Sequence, residues 1–226
     1  MSGDERARLP GFASAVATPE FFSEREQGID QAKAAVEKKY YLIRSLDLID
    51  HCDSYRFRVD GVKMGALCVG NAWYNAAITV TMDDLATSYY VNIPRTGTMQ
   101  VDHRGQSVDV WSARAAVFQP VGGVRMRTSG DYASYAVQVD RVALENQLEA
   151  LLGRPVTGRL DLGANLDLTQ PTGTRWARLV RLLAVEATAQ RTTLTNPMIA
   201  AALHEAVLTG LLHTADYPER ESLDHP

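Results

Sequence analysis

Between Tyr55 and Val139 the chain repeats one device: large apolar residues fall on every second position, and turn-forming residues interrupt the runs. Ile78, Val80 and Met82 alternate with Thr79 and Thr81, and Tyr89, Val91 and Ile93 alternate with Tyr90 and Asn92. A period of two places such residues on one face of a half-buried strand. The pattern continues through Met99 and Val101, Val108 and Val110, Val124 and Met126, then Tyr135, Val137 and Val139. Roughly eight or more strands therefore follow one another without a helical pattern between them. A cluster of this kind closes as a sandwich, jelly roll or barrel.

The punctuation predicts mostly antiparallel neighbours. Asp60-Gly61 and Arg104-Gly105 stand where glycine supplies the positive φ of a hairpin turn, and Pro94 to Gly97, Gly122-Gly123 and Ser129-Gly130-Asp131 mark three more connections. The inward positions of a small barrel either fill its core or surround one small ligand, and periodicity does not separate the two.

Helical patterns flank the strand cluster. Ser23 and Glu26 match a capping box, which predicts a helix over 24–39 with Ile29, Ala32 and Val36 on one face, acting as a lid or brace. Residues 40–49 are apolar enough for a first strand. After Val139 the period lengthens to about 3.6. Asp140 is placed to cap a helix over 141–152, with Val142, Leu148 and Leu151 inward and Gly153 and Pro155 ending it. Thr174 is placed to cap a second helix to about 190, with Trp176, Leu179, Val180, Leu183 and Ala187 as its stripe, and Asn196-Pro197 opens a third that runs to about His213. The third carries Ile199, Leu203, Val207 and Leu211 on one side and Met198, Leu208 and Leu212 off it, more apolar surface than one contact needs. Leu179, Leu183, Leu203, Val207 and Leu211 are accordingly the candidate surface of a homodimer, the alternative being packing within the chain. The expected class is α+β, a cupin-like antiparallel β-barrel or jelly roll followed by a helical subdomain. Its divisions are a flexible leader over 1–20, helix and barrel over 21–139, helices over 140–215, and a linker-like tail over 216–226.

Function classes narrow by what the residues offer. A formal net charge of −4 gives no footprint for nucleic acid. Cys52 and Cys68 are too few for a disulfide scaffold and lack metal-type spacing. The first residues have no basic stretch followed by an apolar core, and no apolar run has the length of a membrane span, so a cytoplasmic protein without membrane partners is expected. His51, His103, His204, His213 and His225 are scattered, without the paired histidines and following carboxylate that a metal-dependent cupin enzyme needs. No nucleophile elbow, phosphate-cradling loop or Cys–His motif is present. Asp83-Asp84 reads as a solvated turn. Neither a catalytic constellation nor a cofactor is expected.

The order Phe57-Arg58-Val59, Met64-Gly65-Ala66-Leu67, Trp73-Tyr74-Asn75-Ala76, Tyr89-Tyr90-Val91-Asn92-Ile93, Gly97, Val110 and Val137-Gln138-Val139-Asp140-Arg141, followed by Leu151-Leu152-Gly153-Arg154-Pro155 and Leu166-Asp167-Leu168, resembles the N-terminal regulatory domain of AraC/XylS-type transcription regulators. The resemblance covers about 21–213 and departs at Trp111 to Ala116, where that family commonly has a glycine-aspartate turn. It implies a barrel holding a small-molecule effector, helices that mediate homodimerisation, and a DNA-reading pair of helix-turn-helix motifs that would lie outside this chain.

For the pocket, the register that turns Val91, Val101 and Val137 inward also turns Tyr89, Met99 and Tyr135 inward, and neighbouring strands add Tyr55, Phe57, Met82 and Met126. Trp73 is placed to cover one mouth. Each side chain has an apolar body and most have a polar or polarisable handle, and each is also an ordinary core residue. Arg56, Arg58, Arg125 and Arg127 are expected in solvent, with Arg58 able to anchor a carboxylate if the register slips at a bulge. Two other readings stand beside the sensor: a metal-independent cupin-like isomerase, and a dimeric interaction module whose interior is filled with side chains.

Overall fold

The computed structural model describes residues 18–189 and 192–224. Most of the expected leader, residues 1–17, lies outside the described residues, as do the last two residues of the expected tail.

Among the described residues twelve strands form two antiparallel sheets. The larger has the order β1 (Glu20–Glu26), β3 (Phe57–Met64), β4 (Leu67–Tyr74), β11 (Ala133–Asp140), β6 (Ser88–Thr96), β9 (Arg114–Phe118) and β12 (Asn165–Asp167). The smaller has the order β2 (Ser45–Leu48), β5 (Ile78–Met82), β10 (Val124–Thr128), β7 (Met99–His103) and β8 (Gln106–Val110). The α+β, cupin-like expectation holds. Closure into a barrel does not: among the described residues no strand of one sheet pairs with a strand of the other, so the β-domain is an open sandwich.

The two sheets differ in what covers them. The smaller has the inner face buried and the outer face wet: Met99, Val101 and His103 are buried while Gln100 and Asp102 are exposed, and Val124, Met126 and Thr128 are buried while Arg125 and Arg127 are exposed. The larger sheet is covered twice. Its inner face gives Phe57, Val59, Cys68, Tyr74, Tyr90, Ala116, Phe118 and Ala136 to the core between the sheets. Its outer face gives Val62, Leu67, Val69, Tyr89, Val91, Val117, Val137 and Val139 to a second core made with the helices. Seven consecutive residues of β6, Ser88 to Pro94, are buried, as a central strand with cover on both faces requires.

The covering helices are α2 (Arg141–Leu152), α3 (Pro171–Glu186) and α4 (Pro197–Thr214). Asp140 caps α2 by accepting from the Ala143 amide at 3.0 Å, and Gly153 ends it in the left-handed conformation at φ 66°. Leu144 and Leu148 carry its buried face, whereas Val142, expected inward, is exposed. Helix α3 starts at Pro171 rather than after Thr174, whose hydroxyl instead donates to the Leu168 carbonyl at 2.7 Å. Asn196 accepts from the Met198 amide at 3.0 Å and caps α4 as expected. Helices α3 and α4 are joined by the Trp176 indole N–H donating to the Val207 carbonyl at 3.0 Å. The segment after α4 returns to the body: Tyr217 is buried in the helical core, the Asp216 carbonyl accepts from the Gly163 amide at 2.7 Å, and a short helix α5 (Glu221–Asp224) follows.

The N-terminal region corrects two expectations. Residues 20–26 form strand β1 against β3, so Ser23 is no helix cap; its hydroxyl donates to Asp60 at 2.6 Å, and the helix α1 covers Ile29–Lys39. Asp60-Gly61 is not a turn either. It lies inside β3, where Gly61 faces Gly70 of β4, and a Cβ on Gly61 would stand 2.7 Å from the Val69 carbonyl oxygen. The reversal occurs at Gly65-Ala66, with Gly65 at φ 60°. The Arg104-Gly105 turn is present, both residues at positive φ between β7 and β8. At the departure from the family pattern, Trp111 and Arg114 exchange backbone hydrogen bonds of 3.2 and 2.8 Å around Ser112-Ala113.

Candidate ligand site between the two sheets

The glycine pair prepares the site. With no side chains on Gly61 and Gly70, other groups pack directly on the inner face of the larger sheet: the Phe22 ring sits where a Cβ of Gly61 would be, and the Tyr40 ring from the end of α1 extends its hydroxyl over Gly70. Tyr40, Tyr41 and Ile43 continue from α1 towards β2 and close one side of the interior. Strand β3 adds Phe57 and Val59, β4 adds Ala72 and Tyr74, β6 adds Tyr90 and Asn92, and the smaller sheet adds Leu46, Ile78, Val80 and Met126. The cavity these residues enclose is about 30 Å³, room for one or two water molecules.

Its walls are aromatic, and further rings outside the lining, Tyr132 and Phe118, back them. Phe57 stacks on Tyr74 (6.1 Å between centroids, 12° between planes) and Tyr74 on Tyr132 (5.5 Å, 16°). On another side Tyr90 stacks on Phe118 at 5.5 Å and receives the edges of Tyr41 at 4.9 Å and Tyr40 at 5.8 Å. Edge-to-face and offset pairs of this kind are each worth about 0.5–1.5 kcal/mol beyond their burial.

The polar atoms inside are few. The hydroxyl of Tyr55 is buried without a hydrogen-bond partner among the described residues, and that of Tyr40 has only the Cys68 thiol, a weak partner, beside it. Leaving a buried hydroxyl unpaired costs about 1–3 kcal/mol, so the Tyr55 hydroxyl above all stands ready for a partner that these residues do not supply. Asn92, which lines the cavity, accepts from the Tyr132 hydroxyl at 2.5 Å through its side-chain oxygen. Burial pushes the phenols of Tyr40, Tyr55, Tyr74 and Tyr90 well up, and that of Tyr41 to about 12, so all five stay protonated and able to donate near neutrality. Burial also pushes the Cys68 thiol, beside Tyr40, up to about 12, far from thiolate reactivity.

The residues picked from sequence divide between the two faces of the larger sheet. Tyr55, Phe57 and Met126 line the cavity, and Met82 and Met99 sit deeper in the same core. Tyr89, Tyr135 and Trp73 do not face it. Tyr89 lies in the helical core with its hydroxyl donating to the Leu160 carbonyl at 2.5 Å, Tyr135 packs against that core under the Arg95 guanidinium (5.1 Å), and Trp73 is 38% exposed on the same outer face. The reason is parity: Tyr89 and Tyr90 belong to one strand, both faces of which are apolar, and Tyr90 is the inward one. Tyr40, Tyr41, Tyr74, Tyr90 and Asn92 were missed. The polar Asn92 between Val91 and Ile93 is the sequence signal that could have set the register, since a buried amide needs a partner. Arg58 is exposed and pairs with Asp60 at 2.5 Å, so it anchors nothing inside.

Of the candidate dimer residues, Leu183, Val207 and Leu211 are enclosed by this chain's own core, and Leu179 and Leu203 are half-buried beside it. Among the described residues no three His, Cys, Asp or Glu side chains come together as metal ligands, and no helix is long and apolar enough to cross a membrane.

A family model described as the AraC-binding-like domain matches residues 43–213. The chain belongs to that family. A probable thc operon regulatory protein from Rhodococcus erythropolis is 27% identical to this AraC-binding-like domain over 201 residues, covering 88% of this chain and 60% of the relative. The chain thus spans about three fifths of that relative's length. The crystal structure of the AraC-like transcriptional activator CuxR superposes with a TM-score of 0.62 at 15% identity, over 87% of this chain and 72% of that one. The family match thus gives the domain type, and the superposition gives the same fold.

Proposed function

We propose that this AraC-binding-like domain senses a small molecule bound between its two sheets and passes the binding event, through its helices, to a DNA-binding domain outside this chain. The observation that carries the reading is the aromatic cavity lined by buried tyrosines, of which Tyr55 keeps a hydroxyl with no partner among the described residues. A buried polar group without a partner calls for an explanation, and a bound ligand supplies one. Family membership supplies the regulatory context.

A path for coupling starts at Tyr40. Its carbonyl accepts from the Gln138 side chain at 2.7 Å, and Gln138 stands two residues before Asp140, the cap of α2. The Asp140 amide in turn donates to the Ala66 carbonyl at 2.8 Å, and Gln147 of α2 donates to Thr209 of α4 at 2.9 Å. A cavity of one or two waters must widen to admit an effector, and the segment Tyr40 to Ile43 is the wall with least regular structure. Displacing it pulls on the start of α2, which biases the helical layer by the differential affinity of the effector for the two packings.

The same reading places homodimerisation on the outward faces of the helices. Leu182 and Val185 of α3 and Met198 and Ile199 of α4 are exposed, whereas the enclosed Leu183, Val207 and Leu211 have no free surface to offer. Sedimentation of the protein and of a Leu182→Glu/Val185→Glu variant tests this: loss of a dimer supports it, and an unchanged mass refutes it.

The sensing role is tested by screening a library of low-molecular-weight metabolites for thermal stabilisation, since a ligand that binds only the folded state raises its apparent stability by RT ln(1 + [L]/Kd). The reading expects hits whose effect disappears in Tyr90→Leu. Turnover of a hit would instead favour the isomerase alternative, and an absence of hits would favour a filled interaction module.

A further inference from the structure

The chemistry of the cavity wall restricts what can occupy it. Fifteen residues line it, and none is Lys, Arg, His, Asp or Glu. Arg58, the anchor that the sequence offered, faces the other side of the sheet and is paired with Asp60. An ion brought into this interior would lose its hydration and find no countercharge, a penalty of several kcal/mol in a real protein after relaxation. A neutral molecule meets no such barrier.

Shape and hydrogen bonding narrow the class further. Six of the described lining residues are aromatic, Tyr40, Tyr41, Tyr55, Phe57, Tyr74 and Tyr90, while Tyr132 and Phe118 stack behind Tyr74 and Tyr90 and stiffen them. A planar body lies against a wall of rings better than a puckered or branched one. The polar atom left over on this wall is the Tyr55 hydroxyl, which has no partner among the described residues, and the Tyr40 hydroxyl has only the weak Cys68 thiol beside it; a protonated phenol donates more strongly than it accepts. Raised phenol pKa values keep the hydroxyls from acting as anions. The complement of donors on an apolar wall is an acceptor on an apolar body.

We propose that the site takes an uncharged, flat, largely apolar molecule that carries at least one hydrogen-bond acceptor such as a carbonyl or amide oxygen, and that it rejects the corresponding carboxylate. The proposal rests on the reading that the interior between the sheets is the effector site. Sugars, with many donors and acceptors on a puckered ring, and phosphorylated or carboxylated metabolites fall outside the class.

The test uses benzamide and benzoate, a neutral and an anionic molecule of nearly equal size, with melting temperature and saturation-transfer NMR as readouts. Benzamide at about ten times its Kd is expected to raise the melting temperature by about 3 °C, with benzoate giving no shift at equal concentration. Ala72→Phe fills the cavity from β4 and is expected to abolish the benzamide response; Ala72→Leu is the milder filler should the first variant not fold. Equal stabilisation by benzoate that is lost in the filled variants overturns the neutral class and leaves the site reading standing. Benzamide stabilisation that survives in the filled variants overturns both, because the molecule then binds elsewhere. No response to either probe overturns the ligand class, and the metabolite screen then decides the site reading separately.

Discussion

The smaller sheet and the larger one are built from the same kind of residue and differ in cover. In β7 and β10 every second side chain is exposed and in β5 every second one is half-buried, so the polar positions identify the outer face and the apolar ones the inner. In β6 and β11 both sets are buried, one against the opposite sheet and the other against α2, α3 and α4. The larger sheet is thus the partition of the molecule: sandwich interior on one side, helical core on the other. A shift of one residue along it exchanges a ligand-facing position for one that faces the helices.

The largest effect that tests this difference comes from charging the outer face of each sheet. Val91→Asp places a carboxylate in the helical core, where an unpaired charge costs several kcal/mol, and is expected to unfold the protein. Arg125→Asp on the wet face of β10 is expected to change stability by less than about 0.5 kcal/mol. Urea denaturation of the two variants decides; similar midpoints would contradict the double cover.

Glycine at the partition gives the next effect. Gly70→Ala drives a Cβ into the Asp60 carbonyl and the Tyr40 hydroxyl, overpacking that costs about 1–3 kcal/mol. Gly105→Ala, at a turn with nothing near its Cβ but φ at 77°, is expected to cost less, about 1 kcal/mol. Equal losses would mean that Gly70 is there for conformation rather than for close packing.

A smaller contrast separates adjacent tyrosine hydroxyls by face. Tyr89→Phe removes the bond to Leu160 and is expected to destabilise by about 1 kcal/mol without altering small-molecule binding. Tyr55→Phe removes a hydroxyl that has no partner, so stability is expected to hold or rise while binding weakens. Paired thermal melts and titrations with benzamide measure both quantities.

The smallest effect is in acid. His103 lies on the inner face of β7, with Nε2 accepting from the Gln119 amide at 2.9 Å and Nδ1 donating to the Gly123 carbonyl at 3.1 Å. Burial, against the opposing Gly123 bond, lowers its pKa below the ordinary histidine value. The unfolded chain therefore takes up a proton at higher pH than the folded one, so this contribution is full above about pH 6.5 and is lost as pH falls towards the folded pKa. His103→Gln should flatten the stability profile in that window; an unchanged slope would mean that the histidine does not titrate there.

These contrasts also mark what was legible in the sequence. The Asp140 cap, Gly153 at the end of α2, the Asn196-Pro197 opening of α4 and the Arg104-Gly105 hairpin were all readable, because each depends on chemistry within a few residues. The register of β6 and β11 was not, because alternation carries information only when one face is polar. Ser23 and Glu26 satisfied the local rule for a helix cap, yet the long-range pairing of β1 with β3 prevailed. Asp60-Gly61 satisfied the local rule for a turn, but Gly61 was needed for its close approach to Gly70 and the turn fell at Gly65. In both cases a partner remote in sequence decided. The candidate site suffered in proportion: Tyr55, Phe57 and Met126 survive in its wall, while Tyr89 and Tyr135 exchanged places with Tyr90 and Asn92.

The most direct measurement is an NMR titration of ring-labelled tyrosines with benzamide. The account predicts shifts at Tyr40, Tyr55, Tyr74 and Tyr90 on the inner side of the partition, with Tyr89 and Tyr135 unmoved at saturation. Shifts confined to Tyr89 and Tyr135 would place the ligand among the helices and contradict the assignment of the site to the space between the sheets.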